Sequence, residues 1–123
     1  AAGTCVDIGG IRVLGEQALH GPPGGPYLCV RVEAEGRSVA YTGDTEWTEA
    51  LIPIARDADL FIAEAYFRDK TVVTHLSLHS IEDHLEDLRP KRLILTHMSE
   101  EMLAHPDLAH FETAEDGKTI TTA

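Results

Sequence analysis

Four residues have the types and positions to do chemistry together: His20, Asp44, His75 and His97. His97 closes the stretch 93–99, LILTHMS. A turn-like Arg89-Pro90-Lys91-Arg92 precedes the apolar Leu93-Ile94-Leu95, which reads as a buried central strand. The chain thus delivers an imidazole to the end of a sheet, which is where open α/β sheets build their sites. His20 follows a strand-like segment, 11–19, and Asp44 follows another, 38–42, across Gly43. If those strands lie in one sheet, His20, Asp44 and His97 converge on one edge. Two imidazoles and a carboxylate at such an edge suit Zn²⁺ or another first-row metal. Each residue also has a plainer reading, Asp44 as a turn or N-cap residue and the histidines as structural groups. His75 and His79 flank a predicted helix start, while His84, His105 and His110 read as solvated or loop residues.

The elements that must position these groups alternate. Residues 4–8 and 11–19 look like strands around the turn Gly9-Gly10. The loop Gly21-Pro22-Pro23-Gly24-Gly25-Pro26 is neither helix nor central strand. Residues 27–35 alternate, with Leu28, Val30 and Val32 on one face, and Gly36-Arg37 turns the chain into 38–42. A helix capped by Thr45 or Thr48 is predicted to run to about Arg56, with Pro53 kinking or splitting it. Residues 59–64, DLFIAE, form another buried strand, and 65–74 a loop. Ser80-Ile81-Glu82-Asp83 resembles a capping box, and Ile81, Leu85 and Leu88 mark one apolar helix face over 80–88. Residues 109–122 fit a final hairpin turned at Asp116-Gly117. Strand, helix, strand, helix, strand over 38–97 is the order of an α/β layered fold.

With 123 residues there is room for one domain and one modest core. No apolar run is long enough to span a bilayer and no signal-peptide pattern is present, so the expectation is a cytoplasmic protein. Cys5 and Cys29 lack metal-ligand spacing and read as free buried thiols. The net charge of -11 disfavours binding of a phosphate backbone as the main function. The only basic cluster, Arg89, Lys91 and Arg92, reads as a cap on the C-terminal end of its helix.

The segments ALHGPPGGPYLCVRV, SVAYTGDTE, DLFIAEAYF, THLS and KRLILTHMS, which together cover most of 11–99, resemble the C-terminal half of a metallo-β-lactamase-fold hydrolase. Within that superfamily the chain is most similar to the ribonuclease Z and phosphodiesterase-like branch. The resemblance implies an α/β fold, the C-terminal half of a four-layered αββα sandwich, with residues 1–123 as a single unit. It implies that His20, Asp44 and His97 are metal ligands, with Asp44 bridging two ions. It implies that His75 assists catalysis near the scissile bond and that Glu64 orients His75. The cofactor implied is one or two Zn²⁺, with Mn²⁺ or Fe²⁺ as alternatives. A metal-bound hydroxide would attack a phosphoester or similar bond, with His75 protonating the leaving group.

The chain departs from the family in one respect. The first metal-binding motif, His-x-His-x-Asp-His, is absent from these residues. The expectation is therefore a fragment, inactive alone, that pairs with a missing N-terminal half or with a second copy to cover its apolar sheet face. The acidic charge favours a small-molecule ester over tRNA as substrate. The competing reading is a non-catalytic α/β module that folds against another chain and keeps a relic metal site.

Overall fold

The computed structural model describes residues 3–22 and 24–122. Pro23, in the Pro/Gly loop after His20, lies outside the described residues. Seven strands form one sheet in chain order: β1 Thr4–Ile8, β2 Ile11–Gln17, β3 Leu28–Ala34, β4 Arg37–Tyr41, β5 Leu60–Glu64, β6 Leu93–Thr96 and β7 Glu112–Thr113. The first four pair antiparallel, β1 with β2 through the turn at Gly9-Gly10, β2 with β3 across the segment 18–27, and β3 with β4 through the turn at Glu35-Gly36. From β4 onward every pairing is parallel. A parallel pair needs a crossover, and three are built here from short helices. They are α1 Leu51–Ala55, then α2 Leu78–Asp83 with α3 Leu85–Leu88, then α4 Glu100–Leu103 with a 3-10 turn at Pro106–His110.

The crossovers cover one face of the sheet. Ala40, Phe61, Ala63 and Leu95 point from the strands into the core that Leu51, Ile54, Leu76, Leu78, Ile81, Leu88 and Met102 complete. Phe61 pairs with both Ala40 and Leu93, so the aromatic ring sits at the centre of this layer. On the other face the alternation places Val6, Ile8, Ile11, Leu28 and Tyr41, which are between 39 and 65% exposed. Cys5 and Cys29 are both free. Cys29 is buried as expected, but Cys5 is exposed on the edge strand β1, because only the inner strands have the helix layer above them.

Several local expectations give way to backbone chemistry. The helix after Asp44 is only five residues long. Thr48 and Glu49 open it with tight turns to Leu51 and Ile52, and Pro53 falls in its first turn, where a missing N–H costs nothing. The next helix starts earlier than the Ser80 capping box suggests: Ser77 is the N-cap, its hydroxyl accepting from the Ser80 N–H at 3.2 Å. It breaks at His84, and the second piece ends in a left-handed Arg89. His84 is no solvated loop residue either; its ring stacks on Trp47 at 3.6 Å. Of the basic cluster only Arg89 caps the helix, through its backbone N–H to the Leu85 carbonyl; Lys91 instead pairs with Asp59 at 3.4 Å and Arg92 with Glu112 at 2.6 Å. The final hairpin is absent among the described residues. Its turn forms, with Lys118 N–H on Glu115 O at 3.0 Å, but the first arm pairs parallel with β6 as β7. Arg92 and Arg37 hold the outgoing chain by the carbonyls of Thr121 and Thr122.

The position of the cap is testable. Ser77→Ala should destabilise the chain by about 1 kcal/mol in urea unfolding, the usual cost of losing an N-cap hydroxyl, while Ser80→Ala should cost clearly less. Equal losses, or a larger one at Ser80, would restore the later helix start.

Burial also pushes the Cys29 thiol up to about 11. A thiol whose ionisation is raised on folding stabilises the fold below its unfolded pKa of about 8.5 and loses that contribution as pH rises toward the folded value. Iodoacetamide at pH 8 should therefore alkylate Cys5 in the folded chain and reach Cys29 only when denaturant is added, as read by mass spectrometry.

Candidate metal centre

β2 runs parallel to β4 through the intervening antiparallel β3, so β2, β4, β5 and β6 all end on the same edge. Each hands one side chain to that edge or to the turn just beyond it: His20 after β2, Asp44 after β4, Glu64 as the last residue of β5 and His97 directly after β6. His75 arrives from the loop before α2, which returns over the same edge through a Tyr66 N–H to Leu76 O bond of 2.9 Å.

Two backbone features fix the approach. Gly43 is left-handed (φ 59°), and a Cβ there would lie 3.0 Å from the Leu28 carbonyl, so the turn that aims Asp44 admits only glycine without rearrangement. His97 is left-handed without being glycine (φ 51°), as is Thr74 (φ 71°) immediately before His75. Strain of this kind persists where the surroundings over-determine it, and it gathers at functional sites.

Glu64 is the organising group. It is a fully buried carboxylate with four N–H partners. Oε2 accepts from the backbone of Thr45 at 3.1 Å and of Leu76 at 3.3 Å. Oε1 meets Nδ1 of His97 at 2.8 Å and Nδ1 of His75. A carboxylate only accepts, so both Nδ1 atoms carry the proton and the free lone pair of each ring is on Nε2. The rings are 20 and 43% exposed at His75 and His97, and therefore accessible. Tyr66 braces both, stacking on His75 at 4.9 Å between centroids and leaning on His97 at 5.5 Å.

Asp44, Glu64, His75 and His97 each bring a ligand-type atom into a group whose members all lie within 4.8 Å of one another. Asp44 Oδ1 is 3.4 Å from His97 Nδ1. His20 stands beside this group: its Nε2 is 3.9 Å from Asp44 Oδ2, and its Nδ1 is 3.1 Å from the Thr74 carbonyl. Its ring meets those of Tyr27 and His75 edge to face, each at 5.3 Å. Gly25 leaves room for the Tyr27 ring, since a Cβ there would fall 2.5 Å from it, which gives the Pro/Gly loop a packing reason.

All five residues singled out in the sequence thus meet at one edge. Tyr66, Tyr27 and the backbone of Thr45 escaped the sequence reading. Tyr66 had a weak signal, since it lies two residues beyond Glu64 in the AEAYF run at a strand end.

The donor set fits a first-row divalent ion: imidazoles and a carboxylate face one small volume, and a buried carboxylate fixes the imidazole tautomers from behind, as ligating histidines commonly require. Glu64, already saturated by four donors, is the support of this set; the atoms left to bind are on His20, Asp44, His97 and His75.

A profile of beta-lactamase superfamily domains matches residues 2–98. The chain belongs to that superfamily. Curated relatives include the ribonuclease Z of Geobacillus kaustophilus, 46% identical over 70 residues, covering 53% of this chain and 23% of the relative. The ribonuclease Z of Methanosarcina acetivorans is 31% identical over 102 residues, covering 79 and 30%. Among solved structures, the metallo-beta-lactamase fold protein YhfI of Bacillus subtilis superposes with a TM-score of 0.74 at 19% identity, over 96% of this chain and 52% of that one. Human tRNase Z, short form, gives 0.72 at 23%, over 96 and 46%. These likenesses confirm the expected metallo-β-lactamase fold. The chain spans less than a third of the curated relatives it matches and about half of the solved chains.

If Glu64 organises this edge, Glu64→Ala should strand two buried backbone N–H groups. Each stranded donor costs roughly 1–3 kcal/mol, so a loss of several kcal/mol is expected in thermal unfolding. A loss near zero would show that solvent already serves those groups.

Proposed function

We propose that the protein is a metal-dependent hydrolase of a phosphoester or related small-molecule ester, and that residues 1–123 are the C-terminal half of its αββα sandwich. The observation that carries this reading is the buried Glu64 holding the Nδ1 atoms of both His75 and His97 beside Asp44. His20, Asp44 and His97 would hold the ion, with Asp44 able to bridge two, and Zn²⁺ suits the set best, with Mn²⁺ or Fe²⁺ as alternatives. A divalent ion held there would supply Lewis-acid polarisation of the ester and would acidify the attacking water. His75 lies at this cluster with Nε2 unprotonated; there it takes up the proton released by the attacking water, becoming an imidazolium that Glu64 stabilises through Nδ1, and passes that proton from Nε2 to the leaving oxygen as the ester bond breaks. Glu64 keeps His75 in that tautomer, and Tyr66 holds the ring in plane.

The apolar sheet face of Val6, Ile8, Ile11, Leu28 and Tyr41 supports a covering layer, supplied by an N-terminal half or by a second copy of the chain. Among the described residues no helix is long and apolar enough to cross a membrane, which agrees with the cytoplasmic setting we infer. A second reading has its own support: the relatives named ribonuclease Z favour an RNA phosphodiester as substrate. The acidic charge speaks against it, but only for the part of the protein contained in this chain.

In the intact protein, His75→Ala should cut turnover by roughly 100- to 10,000-fold, the usual weight of general-acid help, and leave metal content nearly unchanged. Asp44→Ala should lose both. Absence of stoichiometric metal in the intact wild-type protein would favour the non-catalytic module. Turnover of a tRNA precursor far above that of nitrophenyl phosphodiesters would favour the nuclease reading.

A further inference from the structure

Beside the metal-type cluster lies a cleft of about 280 Å³, whose lining includes Glu46, Trp47, Val72, Val73 and His75 together with the hydroxyl-bearing Thr71, Ser77 and Ser80. His75 belongs to both, so whatever occupies the cleft sits next to the group we place at the leaving oxygen. The two walls are tied together. The Thr74 N–H donates to Glu46 Oε2 at 2.9 Å, and the Glu46 N–H donates to the Leu19 carbonyl at 3.0 Å.

Trp47 is held as part of this wall. Its indole stacks on the His84 ring at 3.6 Å with 13° between planes. His84 is itself set by Nδ1–H donating to the Ser80 carbonyl at 2.8 Å, so the Trp47 side chain that lines the cleft is held by its neighbours. Val73 is 77% exposed at the mouth. The lining includes the carboxylate of Glu46 and no Lys or Arg. An anionic group entering here would meet the Glu46 carboxylate, offset only by the Thr74 N–H and with no Lys or Arg in the lining, whereas an uncharged ring would gain stacking and apolar contact.

We propose that this cleft is a substrate subsite that takes an uncharged aromatic group, and that Trp47 and Glu46 set the preference for it over anionic groups. The proposal rests on the hydrolase reading for the identity of the neighbouring site, but binding in the cleft needs neither metal nor turnover. A binding measurement on metal-free protein can therefore fail while the hydrolase reading stands, and the reverse.

Trp47 is the only tryptophan of the chain and reports on the cleft directly. Its fluorescence is titrated in the full 123-residue chain with 4-nitrobenzyl alcohol and, separately, with the anionic 4-nitrobenzoate. Saturable quenching by the alcohol is expected, with the benzoate at least about 10-fold weaker, the size a single largely solvent-screened like charge produces. Val72→Phe narrows the cleft and leaves the reporter in place; it should weaken the alcohol by about 10-fold. Val73→Phe, at an exposed position, serves the same purpose if Val72→Phe fails to fold. Glu46→Gln keeps an acceptor for the Thr74 N–H and should bring the benzoate to within about 3-fold of the alcohol. Linear, non-saturating quenching that the Phe variants do not alter would overturn the subsite. Tighter binding of the benzoate than of the alcohol to the wild-type chain would overturn its assigned chemistry.

Discussion

One buried carboxylate holds the functional end of this sheet together. Glu64 has no contact with solvent, and a charge in that position is tolerable only when fully paired. Its four partners come from three places in the chain: Thr45 in the turn after β4, His75 and Leu76 in the loop before α2, and His97 after β6. Each partner satisfies the carboxylate and is in turn fixed by it. The same group therefore joins β4, β5 and β6 at their ends and sets the tautomer of two histidines. Thr42 completes the arrangement by taking the Glu64 backbone N–H on its hydroxyl at 3.0 Å, which keeps the end of β5 in register beside β4.

The sheet topology explains why this happens at one edge only. From β4 onward the strands are parallel, so their C-terminal ends coincide and their crossovers leave from the same side. At the opposite edge, Asp59 does a different job: its Oδ2 takes the Ser38 N–H at 2.8 Å and its Oδ1 the Lys91 ammonium. There a carboxylate with a lysine partner is held below its ordinary range, first by the Ser38 N–H. The two acidic residues bracket β5. The one with a cation partner closes the fold, and the one with only N–H and imidazole partners lies in the functional cluster.

What the sequence showed and what it hid follow from how local each cause was. The strand ends at Asp44, Glu64 and His97 were legible because apolar runs and Gly43 mark them within a few residues. The α/β order was legible for the same reason. The start of α2 was misplaced because Ser77 and Ser80 both look like caps, and only the packing of Leu76 and Leu78 into the core decides between them. The last hairpin failed because its turn signal was real but its first arm found a better partner in β6. Stacking of His84 on Trp47 joins residues far apart in the chain, and nothing near either one announces it. Likewise, the pairing of His97 with Glu64, beyond the expected pairing of Glu64 with His75, needed β5 and β6 side by side.

The cluster also sets an electrostatic demand. Asp44 and Glu64 bring two carboxylates into a group spanning no more than 4.8 Å, and the other members are histidines, not Lys or Arg. Two unit charges about 4 Å apart repel by roughly 4 kcal/mol at an effective dielectric of 20, and by less here because Asp44 is 39% exposed. Imidazole N–H groups offset part of that repulsion through Oε1 of Glu64, while among the described residues Asp44 has the longer approaches of His20 and His97, at 3.9 and 3.4 Å. A fold that wanted only a stable strand end would have placed a cation there, as it does at Asp59. Leaving Asp44 under-paired among imidazoles creates a place where a divalent ion lowers the energy of the site by its charge as well as by its bonds. In that physical sense the donor set of this edge suits a divalent ion better than it serves stability alone.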